Sequence, residues 1–179
     1  MAFNVAEFRS QLVGDGARPN LFSVTLVFPS IVTNGSAAGQ KVTFMAKAAQ
    51  LPGSSVGTVP VYYFGRETKF AGNRTFPDWT LQIINDEDFL IRGALENWLN
   101  AMNSHQGNVR NSGAASASGY TTEATVTQYG KTGNILKQYN FAGMFPIDVA
   151  PIDLDWGSND SIEEYSVTFS YQYLSLIHI

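Results

Sequence analysis

The feature that most constrains the fold is an alternating strand followed without a gap by the start of a helix. Residues 71–88 read Ala-Gly-Asn-Arg-Thr-Phe-Pro-Asp-Trp-Thr-Leu-Gln-Ile-Ile-Asn-Asp-Glu-Asp. Trp79, Leu81 and Ile83 fall on one face of a period-two strand. Asn85 then supplies a helix cap ahead of acidic residues, which suit a helix N-terminus. A strand with one apolar face needs a second layer to cover that face.

The segment after Asn85 is the only long helix that the sequence predicts. It spans 86–103, and its polar residues face away from a single apolar stripe. The stripe consists of Ile91, Ala94, Leu95, Trp98, Leu99 and Met102. Because the rest of the chain is made of short alternating runs, this stripe must cover a sheet.

Short alternating runs bounded by Gly, Pro, Asn and Ser predict strands elsewhere. They cover 21–28, 42–48, 59–64, 66–70, 120–129, 134–141, 144–156 and 162–173. The first two are predicted to form one hairpin across a turn at 33–39, and 120–129 is predicted to form a second hairpin with 134–141. We therefore expect a mainly β fold, an antiparallel β-sandwich or barrel with one packed α-helix.

Length and composition predict one folded domain over 1–173, with 1–20 as an N-terminal arm and 104–119, rich in Ser, Asn, Gly and Ala, as a flexible loop. The chain has 179 residues, of which 44% are hydrophobic and 13% aromatic, which argues against disorder. It has no cysteine, which excludes disulfides and thiolate metal sites. Neither a secretory signal nor a membrane span is apparent, so the cytoplasm is the expected site of synthesis.

The charge balance argues against a protein that grips nucleic acid. Eleven basic residues against 15 acidic ones give a net charge of −4, the wrong sign for holding phosphate backbones. If this protein contacts DNA, we expect it to bind so weakly that the DNA slides past.

The second predicted hairpin has an unusual polar face. Thr125 and Thr127 on one strand, and Gln138 and Asn140 on the other, alternate with apolar residues and carry no charge. Solvent-facing strands ordinarily carry more Lys and Glu, partly to prevent edge pairing. A neutral polar face suits a surface that borders water and a passing polyanion, although an ordinary solvated face without charges has the same pattern.

Residues that could carry chemistry are few and isolated. His105 and His178 lack the paired spacing of a metal site and the context of a catalytic base. Residues 153–160 contain three aspartates but depart from the calcium-loop pattern, because Trp156 and Gly157 come early and the closing Glu is missing. We expect neither an enzyme nor a cofactor or metal site.

Three segments together resemble the tail tube protein family of contractile-tailed bacteriophages. They are Arg18-Pro-Asn-Leu-Phe22, residues 71–88, and Leu154-Asp-Trp-Gly-Ser-Asn-Asp-Ser-Ile162, and the order of such segments extends the resemblance over nearly the whole chain. The resemblance implies a fold of the phage tail tube type. It also implies hexameric rings stacked into a tube within a contractile sheath, with sheath and baseplate proteins as partners, transient passage of DNA, no membrane, and a place in the virion tail.

The resemblance also bears on individual residues. The candidate core or assembly residues are Arg18, Arg74, Trp79, Trp98 and Trp156. The family builds its lumen from inner-sheet strands, so Thr125, Thr127, Gln138 and Asn140 are the candidate lumen-facing residues, in a sheet expected to include 42–48 and 61–70. Type VI secretion tubes and extracellular contractile injection systems share the fold and are the alternative. A carbohydrate-binding β-sandwich, supported only by the tryptophans, is a further one.

The last six residues break the pattern of the final strand. Residues 162–173 alternate strictly, whereas Leu174-Ser-Leu-Ile-His-Ile179 packs apolar residues side by side. That hexapeptide is the translation of a transposase adapter used in preparing DNA libraries. We therefore interpret 174–179 as an adapter-derived addition and assign no function to His178; the alternative is a genuine apolar terminal strand.

Overall fold

Nine strands and four α-helices make up residues 4–177, the part of the chain that the computed structural model describes. In chain order they are α1 (Val5–Gln11), β1 (Phe22–Leu26), α2 (Gly35–Met45), β2 (Ala46–Ala49), β3 (Ser55–Tyr63), β4 (Arg66–Thr75), β5 (Trp79–Ile84), α3 (Leu90–Met102), α4 (Ala117–Tyr120), β6 (Thr122–Tyr129), β7 (Ile135–Val149), β8 (Glu164–Ser170) and β9 (Tyr173–Ile177). Two 3₁₀ turns lie at Val13–Asp15 and Ser112–Ala114.

Seven strands are joined by antiparallel pairing in the order β1-β6-β7-β8-β5-β2, with β9 beside β7, and they divide into two sheets at β7. Strand β7 serves two sheets, because its first part pairs with β6 and β9 and its last part pairs with β8. The change of partner falls at Gly143, whose φ of +64° is the left-handed conformation that favours glycine. The two sheets, β1-β6-β7-β9 and β7-β8-β5-β2, confirm the predicted antiparallel β-sandwich with a packed helix.

Two tryptophans organise the core between the sheets and α3. The Trp79 ring lies 4.7 Å from the Phe141 ring and 5.8 Å from the Phe169 ring, and the Trp98 ring lies 5.5 Å from the Phe28 ring. Both indole N–H groups donate to backbone carbonyls, Trp79 to Gln50 at 2.7 Å and Trp98 to Tyr120 at 2.8 Å. Their polar atoms are therefore satisfied inside the apolar core.

The predicted hairpin between 21–28 and 42–48 is wrong. Residues 35–45 form helix α2, and β1 pairs instead with β6. The helix lies close to β1 because two glycines, Gly35 and Gly39, are on its packing side: a Cβ on Gly39 would lie 2.7 Å from the Leu26 carbonyl oxygen. Gly, Ser and Ala at 35–39 resemble a turn in sequence, but here their small size allows the helix to approach a sheet edge.

The predicted start of the long helix is also corrected. Helix α3 begins at Leu90, and Asn85 does not cap it. The Asn85 side chain is buried and donates to the Glu163 carboxylate at 2.8 Å, while its backbone N–H donates to the Glu163 carbonyl at 2.8 Å. The Asp88 carboxylate accepts the Leu90 N–H at 3.0 Å, so an aspartate satisfies a backbone donor of the first turn.

One lysine ties α2 to the segment before α3. The Lys41 ammonium lies 2.6 Å from the Asp86 carboxylate and 2.5 Å from that of Asp88. Hydrogen bonds from Lys41 hold the pKa of both carboxyl groups below the usual range, and those two carboxylates raise the pKa of Lys41. The cluster positions the long helix on the sandwich.

The buried stripe of α3 largely matches the prediction. Its buried residues are Ile91, Ala94, Leu95, Trp98 and Ala101. Leu99, which the pattern assigned to the stripe, is only half-buried. Arg92 and Glu96, one turn apart, pair at 2.9 Å on the polar side.

The predicted loop at 104–119 contains two short helical segments. One is the 3₁₀ turn Ser112–Ala114, where the Asn111 side chain accepts the Gly113 N–H at 3.0 Å, and the other is the start of α4. Ala114 is fully buried, which anchors the segment to the domain.

The C-terminal strand β9 pairs with residues 138–142 of β7. Leu174 is partly buried and packs against the core. The adapter origin of 174–179 stays a prediction, and His178 lies outside the described residues.

We expect Trp98→Ala to lower the free energy of unfolding by about 3–5 kcal/mol, because it removes a fully buried indole. Trp156→Ala is the matched control: Trp156 is 99% exposed, so its loss should change stability by no more than about 0.5 kcal/mol. Urea denaturation of the unassembled protein measures both. Equal midpoints for the two variants would contradict the core described above.

Gly39→Ala should destabilise the fold, since its Cβ would lie 2.7 Å from a backbone oxygen of β1 and the helix would have to move. Gly93→Ala is the control in α3, where a new Cβ meets nothing within 4 Å. That substitution should stabilise by about 0.5–1 kcal/mol, because alanine is the better helix former. Thermal unfolding should separate the two in opposite directions, and a stabilised Gly39→Ala protein would be inconsistent with the close α2–β1 packing.

Candidate assembly surfaces

The candidate metal-binding and catalytic residues of the sequence lie apart in the described structure. No group of three or more His, Asp or Glu residues between 4 and 177 is close enough to hold a metal ion. The three aspartates at 153–160 do not form a calcium loop: the Asp155 carboxylate accepts the Gly157 N–H at 3.0 Å and closes a turn. His105 lies on the surface beyond the end of α3, where its backbone N–H donates to Asn100 at 3.3 Å.

Two buried tyrosines are the unusual polar groups of the core. The hydroxyls of Tyr165 and Tyr171 lack a protein hydrogen-bond partner among the described residues. Burial raises the pKa of Tyr165, and the Arg92 guanidinium, 5.2 Å from its ring, opposes the rise only in part. Both phenols therefore stay neutral, which suits packing rather than proton transfer.

A neutral polar face crosses the sheet β1-β6-β7-β9 on the side away from the core. Two rows of directly opposed residues make up this face: Thr25, Thr125, Asn140 and Ser175 in one, and Ser23, Thr127 and Gln138 in the other, where the next position, on β9, is the apolar Ile177. The Thr125 hydroxyl donates to the Asn140 side-chain oxygen at 3.0 Å, and the Gln138 amide reaches the same oxygen at 3.4 Å. The four predicted polar residues thus share one hydrogen-bonded surface, which β1 and β9 extend beyond the hairpin.

The polar face differs from the sequence expectation in two respects. Thr127 is only 8% exposed, because it lies in the inner strand β6 between the opposed Ser23 and Gln138. Residues 42–48 and 61–70 do not belong to this sheet: the former lie in α2 and β2, and the latter lie in a separate hairpin.

That separate hairpin, β3–β4, is the largest exposed element of the described chain. Its two strands pair with each other from Ser55↔Thr75 to Tyr63↔Arg66 and join no other strand. All its residues are exposed except Gly72, which is half-buried, and Phe64 at the tip is 92% exposed. An isolated two-stranded hairpin is at best marginally stable in water. The hairpin is therefore an element that a neighbouring molecule would stabilise.

Helix α1 is a second exposed apolar element. Val5 and Phe8 lie on one side of the helix and Leu12 follows at its C-cap, yet Val5 is 72% and Phe8 66% exposed. The Asn4 side chain caps the helix by accepting the Ala6 N–H at 3.0 Å. An amphipathic helix with an uncovered stripe suits a docking arm.

Arg18 and Arg74 lie at the bases of the exposed elements. Arg18 is in the extended segment before β1, beside the turn that joins β6 to β7, and the Asp15 carboxylate pairs with Lys131 of that turn at 3.2 Å. Arg74 is exposed at the base of the hairpin, opposite Val56. Neither arginine is in the core.

Trp156, a candidate core or assembly residue, is not in the core. Strand β7 ends at Val149, and Trp156 lies in the irregular segment before β8, where it is almost completely exposed. Leu154 and Ile162 in the same segment are also exposed, by 81% and 72%. Alternating aspartates and apolar residues at 152–156 resemble a strand in sequence, but Pro151 and the Asp155 turn interrupt it. A cluster of exposed apolar residues of this kind marks an interaction surface.

None of the helices within residues 4–177 is long and apolar enough to cross a membrane.

Comparison with known proteins gives one consistent result. The sequence profile described as phage tail tube protein matches residues 17–176. The tail tube protein gp19 of Enterobacteria phage T4 is 35% identical over 161 residues, which cover 89% of this chain and 91% of that protein.

Solved structures agree with the sequence comparison at the level of the fold. The tube-terminating cap of the anti-feeding prophage has a TM-score of 0.65 at 16% identity, with 91% of each chain covered. The sheath–tube complex of the extracellular contractile injection system PVC in its extended state has a TM-score of 0.61 at 18% identity, with 95% of this chain and 97% of that chain covered.

Proposed function

The chain belongs to the phage tail tube protein family, and we propose that it assembles as stacked hexameric rings that form the tube of a contractile tail. Assembly is its activity, and the tube is the conduit through which DNA leaves the virion. The exposed apolar surface of the hairpin and α1 carries the proposal, since these surfaces serve no purpose in a lone monomer. Head-to-tail contacts between identical subunits generate rings and helical stacks, as a tube requires.

The neutral polar face is the proposed lining of the bore. Its two rows carry no charged side chain, and Thr125 and Gln138 both donate to the Asn140 side-chain oxygen. Basic side chains bind DNA largely by displacing counterions from its phosphates. A lining without basic residues lacks this contribution to affinity, so the DNA passes without being held. The net charge of −4 supports the same conclusion for the subunit as a whole.

The proposed partners beyond further copies are sheath and baseplate proteins. The fold neighbours include a sheath–tube complex of an extracellular contractile injection system and the baseplate of the anti-feeding prophage. The 35% identity to the T4 protein favours the phage tail over an injection or secretion machine.

A carbohydrate-binding role has little support. Two of the three tryptophans are buried in the core, and both indole N–H groups are already bonded. Only Trp156 is free to stack on a sugar.

Reagents of different size test the position of the polar face. The chain has no cysteine, and Thr25 is an exposed member of the face, so Thr25→Cys places one thiol there. In assembled tubes we expect the thiol to react with a small maleimide, which enters the bore, and not with a maleimide on a large polymer. The unassembled variant is the control and should react with both. A thiol that reacts with both reagents in intact tubes lies on the outer surface, and one that reacts with neither lies in an interface; either result refutes the bore assignment.

Lysines on the polar face should slow DNA passage. Thr125→Lys together with Gln138→Lys adds two positive charges per subunit at half-buried positions, and a basic bore attracts phosphate. Thr125→Gln with Gln138 unchanged is the neutral control for side-chain size. Genome ejection from particles carrying each variant is the measurement, and normal ejection by fully assembled lysine particles would count against the proposed lining.

A further inference from the structure

The two faces of the β3–β4 hairpin differ in character. Opposed residues share a face, so the pairs Val59↔Phe70, Val61↔Thr68 and Tyr63↔Arg66 place four apolar side chains on one side, with a guanidinium near the tip. We call this side the apolar hairpin face; it consists of Val59, Val61, Tyr63, Arg66, Thr68 and Phe70. Its four apolar side chains are between 48% and 73% exposed.

The hairpin is also basic within an acidic protein. Strand β4 carries Arg66, Lys69 and Arg74 against the single acid Glu67. Lys69 lies on the opposite face, beside Pro60, where it approaches Glu67 at 3.9 Å. The surface that receives the hairpin should therefore be apolar at its centre and acidic around it.

One surface of the described chain has that character. The segment 150–163, which we call the acidic loop, exposes Leu154, Trp156 and Ile162. It also contains Asp153, Asp155, Asp160 and Glu163 and no basic residue. A wholly exposed indole is in addition a favourable partner for an arginine guanidinium.

From this complementarity, and resting on the proposed function, we infer that the apolar hairpin face of one copy docks on the acidic loop of a second copy. The hairpin strands make no ladder with any other strand of their own described chain, so the partner is another molecule. Because the two surfaces differ, the contact is head-to-tail, and a pair of copies keeps one free hairpin and one free acidic loop to which further copies can add.

Helix α1 is the other surface that could receive the apolar hairpin face, and it differs from the acidic loop in charge. Its stripe of Val5, Phe8 and Leu12 is apolar, but Glu7 and Arg9 beside it cancel. A neutral helix offers the basic hairpin no electrostatic complement, whereas the acidic loop offers the exposed carboxylates of Asp153, Asp155 and Asp160.

Crosslinking between two single-cysteine forms of the full chain tests the contact. Thr68→Cys marks the apolar hairpin face and Ser158→Cys marks the acidic loop, both at exposed positions. The two proteins are mixed, polymerised and treated with a short bismaleimide. We expect covalent dimers from the mixture and none from either protein alone, since neither surface meets a copy of itself.

A third cysteine form, Ser10→Cys on α1, makes the competing occupant measurable. Polymers in which Thr68→Cys joins Ser10→Cys, or itself, instead of Ser158→Cys overturn the inference and leave the proposed function intact. Failure of the parent chain to polymerise at all contradicts the proposed function, and the inference falls with it.

Charge reversal gives a second readout with a matched control. Arg66→Glu places a carboxylate against the acidic loop and should lower the polymerisation rate at least about tenfold. Lys69→Glu makes the same change of charge on the opposite face and should alter the rate less than about twofold, since a solvent-facing charge is screened. Equal effects of the two substitutions would overturn the inference. Both positions are exposed, so an unchanged circular dichroism spectrum is expected for each.

Discussion

Contact between Trp79 and the two phenylalanines on either side of it is the interaction on which the rest of the fold depends. Phe141 belongs to β7 and Phe169 to β8, so one indole bridges the sheets at the strand where they join. Trp98 brings α3 to the same cluster, with its ring 6.4 Å from that of Phe169. The two indole N–H groups donate to the backbone carbonyls of Gln50 and Tyr120, so the cluster also holds the segments that contain these two residues.

The residues that stabilise the fold are distinct from the exposed apolar residues that are proposed to mediate assembly. The core side chains of the sandwich, such as Trp79, Phe141 and Phe169, are almost completely buried, whereas the apolar side chains of α1, the hairpin and the acidic loop are largely exposed to water. A protein that works only as a monomer would cover or lose such surfaces, because they promote association. Here α2 packs beside the edge strand β1, with Gly39 next to the Leu26 carbonyl oxygen, so this part of the sheet edge is covered within the subunit.

Sequence patterns predict this structure where the local signal and the tertiary role agree. The alternation of Trp79, Leu81 and Ile83, the stripe of α3 and the β6–β7 hairpin could all be read from the residues, since one buried face leaves a clear period. The pattern failed at α2, where Gly35 and Gly39 resemble a turn but serve close packing, because propensity carries no information on what lies opposite. It failed at Trp156 because a large aromatic residue is normally buried, and only the position of the end of β7 reveals that this one is not. The polar face was recognised on two strands, but its extension to β1 and β9 depends on pairings between distant segments.

The pairing of β1 with β6 has a consequence for synthesis. Phe22 and Gln128 are paired although roughly 100 residues of chain separate them. In the same way, β5 cannot pair with β8 until the chain between them has been synthesised. On the ribosome, both strands of the local β3–β4 hairpin have been synthesised long before the last strands of the sandwich. The acidic loop emerges among the last segments, so a nascent chain presents its hairpin before it has the complementary surface. Because translation runs from the N-terminus, the acidic loop is synthesised only when nearly all strands of the sandwich are available to fold.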